Sequence, residues 1–356
     1  MNVALTYNVK PEEESSIGIL SSSQHVSTDS DLSISTATYN DIYAEWDSSE
    51  TIEAVRNALA LYHNVTLVEA NETAFEKLKA LRPDIVFNIA EGLNGLSREA
   101  QIPAMLDMLN IPYTGSDPLT LATCLDKSRT KEILSYYKIN TARFITASNL
   151  DDLNGFNLSF PVIIKPIGEG SSKGIFDSSF IENEDELKKR VVFNYNSYGQ
   201  PSLIEEFLPG REFTVAIIGN GNDTTVLPIV EINFNQLPET MAPIYSYEAK
   251  WIVDRRENPL EIFTCPAKLD EKLEKKIRSI ALRTYHILRC KDWSRIDIRL
   301  DAHGEPNIIE VNPLPGILPD PKDNSCFPKA ARAYGFDYNQ MLNKVLYVSA
   351  KRHKLI

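Results

Sequence analysis

The chain has 356 residues, which at about 150 residues per domain suggests two or three domains. Its 37 Lys+Arg against 49 Asp+Glu leave a formal net charge of −12. This excludes a broad basic face for nucleic acid, because phosphate neutralisation needs clustered cations. At 43% hydrophobic and 24% charged residues the composition suits a globular protein, and no apolar run reaches the roughly 18 residues that span a bilayer.

In chain order, NVALT (2–6) reads as a first buried strand. The start lacks the basic n-region of a secretory signal, and Cys124, Cys265, Cys290 and Cys326 form no CxxC pair. A cytoplasmic protein with reduced thiols is therefore expected. From about 10 to 43 the pattern dissolves into a polar, Ser/Thr-rich stretch, read as a mobile insertion. Asp47 and Glu50 then fit a capping box, with Ile52, Val55, Leu59 and Tyr62 at helical spacing. A strand (VTLVEA), a helix (ETAFEKLKAL) and a strong strand (DIVFNIA) follow. After the loop EGLNGLS come a helix marked by Ile102, Met105, Leu106 and Leu109, and a strand at IPYTGS. Alternating strands and helices imply a parallel sheet. Ligands of such sheets sit at the carboxyl ends of strands, where EGLNG lies.

Further on, the helix LDKSRTKEILSYY leads to strands at ARFIT and FPVIIKP. A helix (ENEDELKKRVVF) and two strands around a Pro-Gly turn (PSLIEEFLPGREFTVAIIG) come next. The last third alternates strands (TVLPIVEI, SRIDIRL, NIIEV) with helices (DEKLEKKIRSIALRTYHIL, NQMLNKVLYVSA).

Three segments carry chemistry. In FPVIIKPIGEGSSKG, Lys165 ends a buried strand, and the amides of Gly170–Gly174 can form an anion-binding nest; the alternative is a surface hairpin. In SRIDIRL and NIIEVNPLPG, strand alternation places Arg295, Asp297 and Arg299 on one face and pairs Glu310 with Asn312. Asp297, Glu310 and Asn312 could converge as oxygen ligands for Mg²⁺, with Arg295 beside them to meet a transferred phosphoryl group; a plain polar sheet face is the alternative. In LIEEFLPGREF, Glu205 and Glu206 point to opposite strand faces, and Glu212 follows the turn.

The motifs DKSRTK, FPVIIKP, GSSKG, IEEFLPGREFTVAI, YEAK, TCPA, RIDIRL and EVNPLPG, in this order over roughly residues 84–350, resemble the D-alanine–D-alanine ligases of the ATP-grasp superfamily. The resemblance implies an α/β and α+β architecture. An N-terminal parallel-sheet domain (1–118) would be followed by two lobes (119–203 and 204–356) clamping ATP. It implies that Lys127 and Lys165 contact phosphates and that Lys250 closes over the γ-phosphate. Ser171 and Ser172 would cover the phosphates, Glu205 would face the adenine with Glu206, Phe207 and Leu208 in the same segment, and Glu212 would hold the ribose. Asp297, Glu310 and Asn312 would hold two Mg²⁺ ions, Mn²⁺ being an alternative, and Arg295 would stabilise the reacting centre. A carboxylate would attack the γ-phosphorus, and an amine would displace phosphate from the acyl phosphate. A homodimer acting on small amino-acid or carboxylate substrates is implied.

The sequence departs from the family on the amino-acid side. The usual GG-x-S-x-E segment is replaced by TYNVKPEEE, leaving Glu45 or Asp47 as substitutes. Glu91 stands where a histidine is usual, and Trp251 stands where a tyrosine hydroxyl would join the loop serine. The segment from Gly316 to Ser325, which would hold the second substrate's carboxylate, is lengthened. These changes point away from two D-alanines as substrates. A mycosporine-type conjugate is a further reading, and a noncatalytic ATP-binding module is disfavoured because the lysines and metal ligands are all present.

Overall fold

The structure, a computed structural model, describes residues 1–11, 41–254 and 259–356. The polar insertion expected over about 10–43 therefore falls, between 12 and 40, outside the described residues.

The apolar run at the start forms β1 (Asn2–Tyr7), which lies at the centre of a parallel sheet. Its neighbours are β2 (Asn64–Glu69) and β3 (Ile85–Asn88). Helix α1 (Ser49–Ala60) precedes β2, α2 (Ala74–Leu81) precedes β3, and α3 (Gln101–Leu109) follows it. The expected capping box at Asp47 and Glu50 is corrected. Ser48 caps α1 by accepting from the Thr51 amide, because the chain is still extended there and helical from Ser49. IPYTGS adds only a single parallel bridge, Val86 to Tyr113, rather than a strand.

Two helices that meet at Asp126 follow, α4 (Pro118–Leu125) and α5 (Lys127–Tyr136). The Asp126 carboxylate accepts from the Ser128 and Arg129 amides. That cap starts α5 at Lys127 and puts Lys131 one turn later on the same face. The second sheet is antiparallel and four-stranded. Its members are β4 (Phe144–Ala147), β5 (Val162–Pro166), β6 (Phe180–Ile181) and β7 (Ser202–Glu206), in the order β4-β7-β5-β6. Helix α6 (Glu184–Tyr198), stopped by Gly199 in the left-handed region, buries Leu187 and Val191 against this sheet.

The third sheet has six strands. They are β8 (Glu212–Ile218), β9 (Thr225–Val226), β10 (Val230–Ile232), β11 (Phe263–Thr264), β12 (Trp293–Leu300) and β13 (Pro306–Asn312). Helix α7 (Glu271–Ile287) covers one face with Ile277, Ile280, Ala281 and Tyr285. The chain closes with α8 (Cys326–Tyr334) and α9 (Tyr338–Arg352). Both pack into one core with Val3, Leu5, Phe87, Val55 and Leu59 of the first sheet and its helix, together with Trp293. The first sheet is thus covered on one face by the end of the chain, which ties it firmly to the third sheet. No described helix is long and apolar enough to cross a membrane.

Candidate active site

A cavity of about 450 Å³ opens between the second and third sheets, lined by residues of both and by loops at the ends of β1 and β3. Its floor is the pair β12–β13. Asp297 lies directly opposite Glu310 and Arg295 opposite Asn312, so all four side chains share one face. Arg295 donates from Nε and Nη2 to the two oxygens of Asp297, each at 3.0 Å. Asn312 donates to Asp297 Oδ2 at 3.3 Å. Glu310 Oε1 is 2.8 Å from Lys127 Nζ, and Lys127 also donates to the Glu169 carbonyl. Burial opposes ionisation of Glu310, but Lys127 and Lys165 outweigh it and hold its pKa below the usual range. Two carboxylates and an amide oxygen on one face, already neutralised by cations, form a hard donor set that fits Mg²⁺.

The roof is the strand end of β5 and the turn of α5. Lys165 and Lys131 hold the two oxygens of Glu205 at 2.6 and 2.7 Å. Burial would raise Glu205, and the two ammonium groups overcome it and hold it at about 2. Glu205 therefore serves here as the counter-ion of two lysines. Lys131 is a residue the motif reading passed over, although its place four residues after Lys127 signals a shared helix face. Glu206 faces the other way, onto Arg143 at 3.0 Å, while still bordering the cavity beside Phe207 and Leu208. Glu212 holds Arg299 at 3.0 Å.

The glycine loop is less open than its sequence implies. The Gly170 amide donates to Glu45 Oε1 at 2.6 Å, and the Gly174 amide lies 3.3 Å from Asp41 Oδ2. The Lys173 amide turns back to the Gly170 carbonyl. The expected nest over 170–174 is corrected accordingly. Within 170–174 the Ser171 and Ser172 amides alone have no acceptor among the described residues, and these two residues adopt φ of 51° and 62°. Ser172 Oγ donates to the Tyr245 carbonyl at 2.9 Å. Trp251, expected to cost a donor, supplies one: its Nε1 donates to the Ser171 carbonyl at 3.1 Å. Trp251 and Lys250 sit on a single π-helical segment, Glu248–Val253, that borders the cavity. Burial, with Arg295 and Lys10 nearby, lowers Lys250 to about 8.

On the amino-acid side, Arg98 Nη2 lies 2.6 Å from both oxygens of Glu45, and Arg98 Nη1 donates to the Gly168 carbonyl at 2.6 Å. Glu45 lines the cavity, but its carboxylate is committed to Arg98 and Gly170. Arg98 carries no local sequence signal, since it sits on a short 3₁₀ turn (98–100) and finds Glu45 only through the fold. Glu91 lines the cavity on the loop after β3, with no hydrogen bond or ion pair to other described residues. Ser325 Oγ donates to the Gly316 carbonyl and accepts from the Leu318 amide, each at 3.2 Å, bracing the lengthened segment at the cavity wall.

A family profile described as the D-ala D-ala ligase C-terminus matches residues 133–347. The chain belongs to the D-alanine–D-alanine ligase family. An uncharacterized protein, y4sG, of Sinorhizobium fredii is 32% identical over 321 residues, covering 86% of this chain and 90% of its own. The D-alanine–D-alanine ligase of Mannheimia succiniciproducens is 32% identical over 289 residues, covering 80% of this chain and 86% of its own. Two crystal structures of D-alanine–D-alanine ligase from Bacillus anthracis, one complexed with ATP, superpose with TM-scores of 0.65 and 0.67. They share 22% and 24% identity, and each alignment covers 100% of this chain and 99% of the other. At that identity the likeness speaks for the fold, which is ATP-grasp. The chain is therefore a D-alanine–D-alanine ligase-like ATP-grasp protein, and its family is one of ATP-dependent ligases.

Proposed function

We propose that the protein is an ATP-dependent, ADP-forming ligase that joins a carboxylate to an amine, with substrates other than two D-alanines. The observation that carries this reading is a single cavity in which Lys165, Lys250 and Arg295 converge on the face bearing Asp297, Glu310 and Asn312, with Lys127 paired to Glu310 just behind the lining. In this reading residues 1–118 help choose the substrate, while 119–203 and 204–356 close on the nucleotide. A small-molecule substrate, a cytoplasmic setting and a second copy as partner belong to the same proposal.

The lysines bind the triphosphate, with the Ser171 and Ser172 amides over it, and Phe207, Leu208 and Glu212 border the nucleoside. Asp297, Glu310 and Asn312 would hold Mg²⁺, or Mn²⁺, which when bound neutralises phosphate charge. A substrate carboxylate oxygen attacks the γ-phosphorus, the bond to the bridging oxygen breaks, and ADP leaves. Lys127 and Lys250 meet the charge that develops there. The free amine nitrogen then attacks the acyl carbon, and phosphate departs with the electron pair of its bond to that carbon and takes up the proton the nitrogen loses. Arg295, fixed by Asp297, faces the oxyanion of that tetrahedral centre. No protein nucleophile is required, so positioning and charge stabilisation supply the rate. Ser325 and Gly316 border the second substrate, and Glu91 with Trp251 shape the amino-acid side.

The test is ADP release with D-alanine alone and with a panel of amino acids, in the wild type and in Glu310→Gln. Release with a mixed pair that the substitution abolishes is the expected result. Rapid turnover on D-alanine alone would sink the altered-substrate reading, and undiminished turnover in Glu310→Gln would remove the metal role.

A further inference from the structure

The amino-acid end of the cavity carries more negative charge than the protein itself neutralises. Glu45 is matched by Arg98. Glu99, the next residue, is only 9% exposed, lines the cavity, and makes no ion pair or hydrogen bond with other described residues. Glu91 faces the same cavity, where repulsion from Glu99, Glu45 and Asp47 exceeds the attraction of Arg98. Both side chains stand on well-braced backbone. Gly92, next to Glu91, donates from its amide to Asn8 Oδ1 at 2.9 Å and accepts at its carbonyl from Trp46 Nε1 at 2.9 Å. Glu99 sits in the 3₁₀ turn that leads into α3.

A buried carboxylate left without a partner is costly, and in an empty site it copes by holding a proton. Burial, with Glu45 nearby, pushes Glu99 up to about 8, and burial with Glu99 nearby raises Glu91 well above the carboxylate range. A bound cation would take over that role. The α-ammonium of one amino acid answers one carboxylate and leaves the second unmatched. Trp46 also lines the cavity, and an aromatic side chain suits an organic cation.

We propose that Glu91 and Glu99 form a cation subsite for a substrate amino acid carrying a second positive charge on its side chain, a basic amino acid of the lysine or arginine class. This rests on the ligase reading and names the substrate class of the same site. A neutral side chain as short as a methyl group would leave one of these carboxylates without a counter-ion.

The experiment is calorimetric titration of the full chain with lysine and with norleucine, each as both enantiomers, in the presence of Mg²⁺ and a non-hydrolysable ATP analogue. Both ligands bear the α-ammonium and a four-carbon side chain, and they differ in the terminal ammonium of lysine. One lysine enantiomer is expected to bind at least about ten-fold tighter than the matching norleucine. In Glu99→Gln and Glu91→Gln that ratio is expected to fall toward one, each variant serving as a check if the other fails to fold. Equal binding of lysine and norleucine to the wild type, or a preference that survives both substitutions, would overturn the subsite. ADP release is read in parallel. Turnover on neutral amino acids without a lysine preference defeats the subsite and leaves the ligase reading intact. A lysine preference with no ADP release on any carboxylate–amine pair supports the subsite and defeats the ligase reading.

Discussion

Arg98 and Glu45 join the first sheet's loops to the glycine loop, with one guanidinium nitrogen 2.6 Å from both carboxylate oxygens and only 5% and 6% of the two side chains exposed. Removing one member of a buried, hydrogen-bonded pair leaves the other charge uncompensated, at a cost of roughly 3–5 kcal/mol. Arg98→Ala is expected to lower the unfolding free energy by that amount in urea titrations, with the midpoint falling accordingly. Gly170→Ala strikes the same joint from the other side, because its added Cβ would stand 2.5 Å from Glu45 Oε1. It is expected to cost about 1–3 kcal/mol and to raise the KM for ATP as the loop is pushed off Glu45.

Glu205 supplies an acid-sensitive contribution to stability. Its folded pKa of about 2 lies below its ordinary value of 4.5, so Lys131 and Lys165 stabilise the fold through it above the higher value. That contribution is lost as pH falls from about 4.5 toward 2. Thermal melts should show Glu205→Gln well below the wild type at pH 7, with the gap narrowing between pH 5 and pH 3. A constant gap would count against the ion-pair account.

Lys250 gives a signature at alkaline pH. With a pKa lowered to about 8, its ammonium is lost in the nucleotide-free protein as pH rises through that value. The KM for ATP is expected to climb above pH 8 in the wild type. Lys250→Arg should flatten that limb, since a guanidinium stays charged.

Trp251→Phe keeps an aromatic face and removes the bond from Nε1 to the Ser171 carbonyl. Loss of one such bond is worth about 1 kcal/mol, or roughly five-fold in an equilibrium constant. The expected outcome is a KM for ATP several-fold higher with a smaller change in kcat. An unchanged KM would show that the indole does not order the loop.

Most strands were legible because a strand's chemistry is local. SRIDIRL and NIIEVN announce their polar face by alternation, and antiparallel pairing then sets Asp297 opposite Glu310. FPVIIKP likewise delivers Lys165 from a continuous apolar run. Helix starts were less exact, since a cap depends on where the backbone leaves its extended form, and Ser48 takes the place read for Asp47. The helix α4 escaped the reading because its apolar residues cluster without a clear period, and α8 because it is short and carries a proline, Pro328, in its first turn. The partners of Glu45 and Glu205 escaped it for another reason. Arg98 lies 53 residues from Glu45, and no spacing rule reaches that far.

The sequence by itself carried the signals behind the proposed nucleotide chemistry: Lys165 with the glycine loop, and the acidic floor, each on residues close together in the chain. It also exposed the departures at Glu91 and Trp251. Only the tertiary structure decided how those groups are matched. It spends Glu45 on Arg98 and Gly170, makes Glu205 the counter-ion of Lys131 and Lys165, and leaves Glu91 and Glu99 facing the cavity without a partner among the described residues. Charge pairing acts over a few ångströms in space and is blind to separation along the chain. Which carboxylates remain for a ligand is therefore a property of the packed molecule.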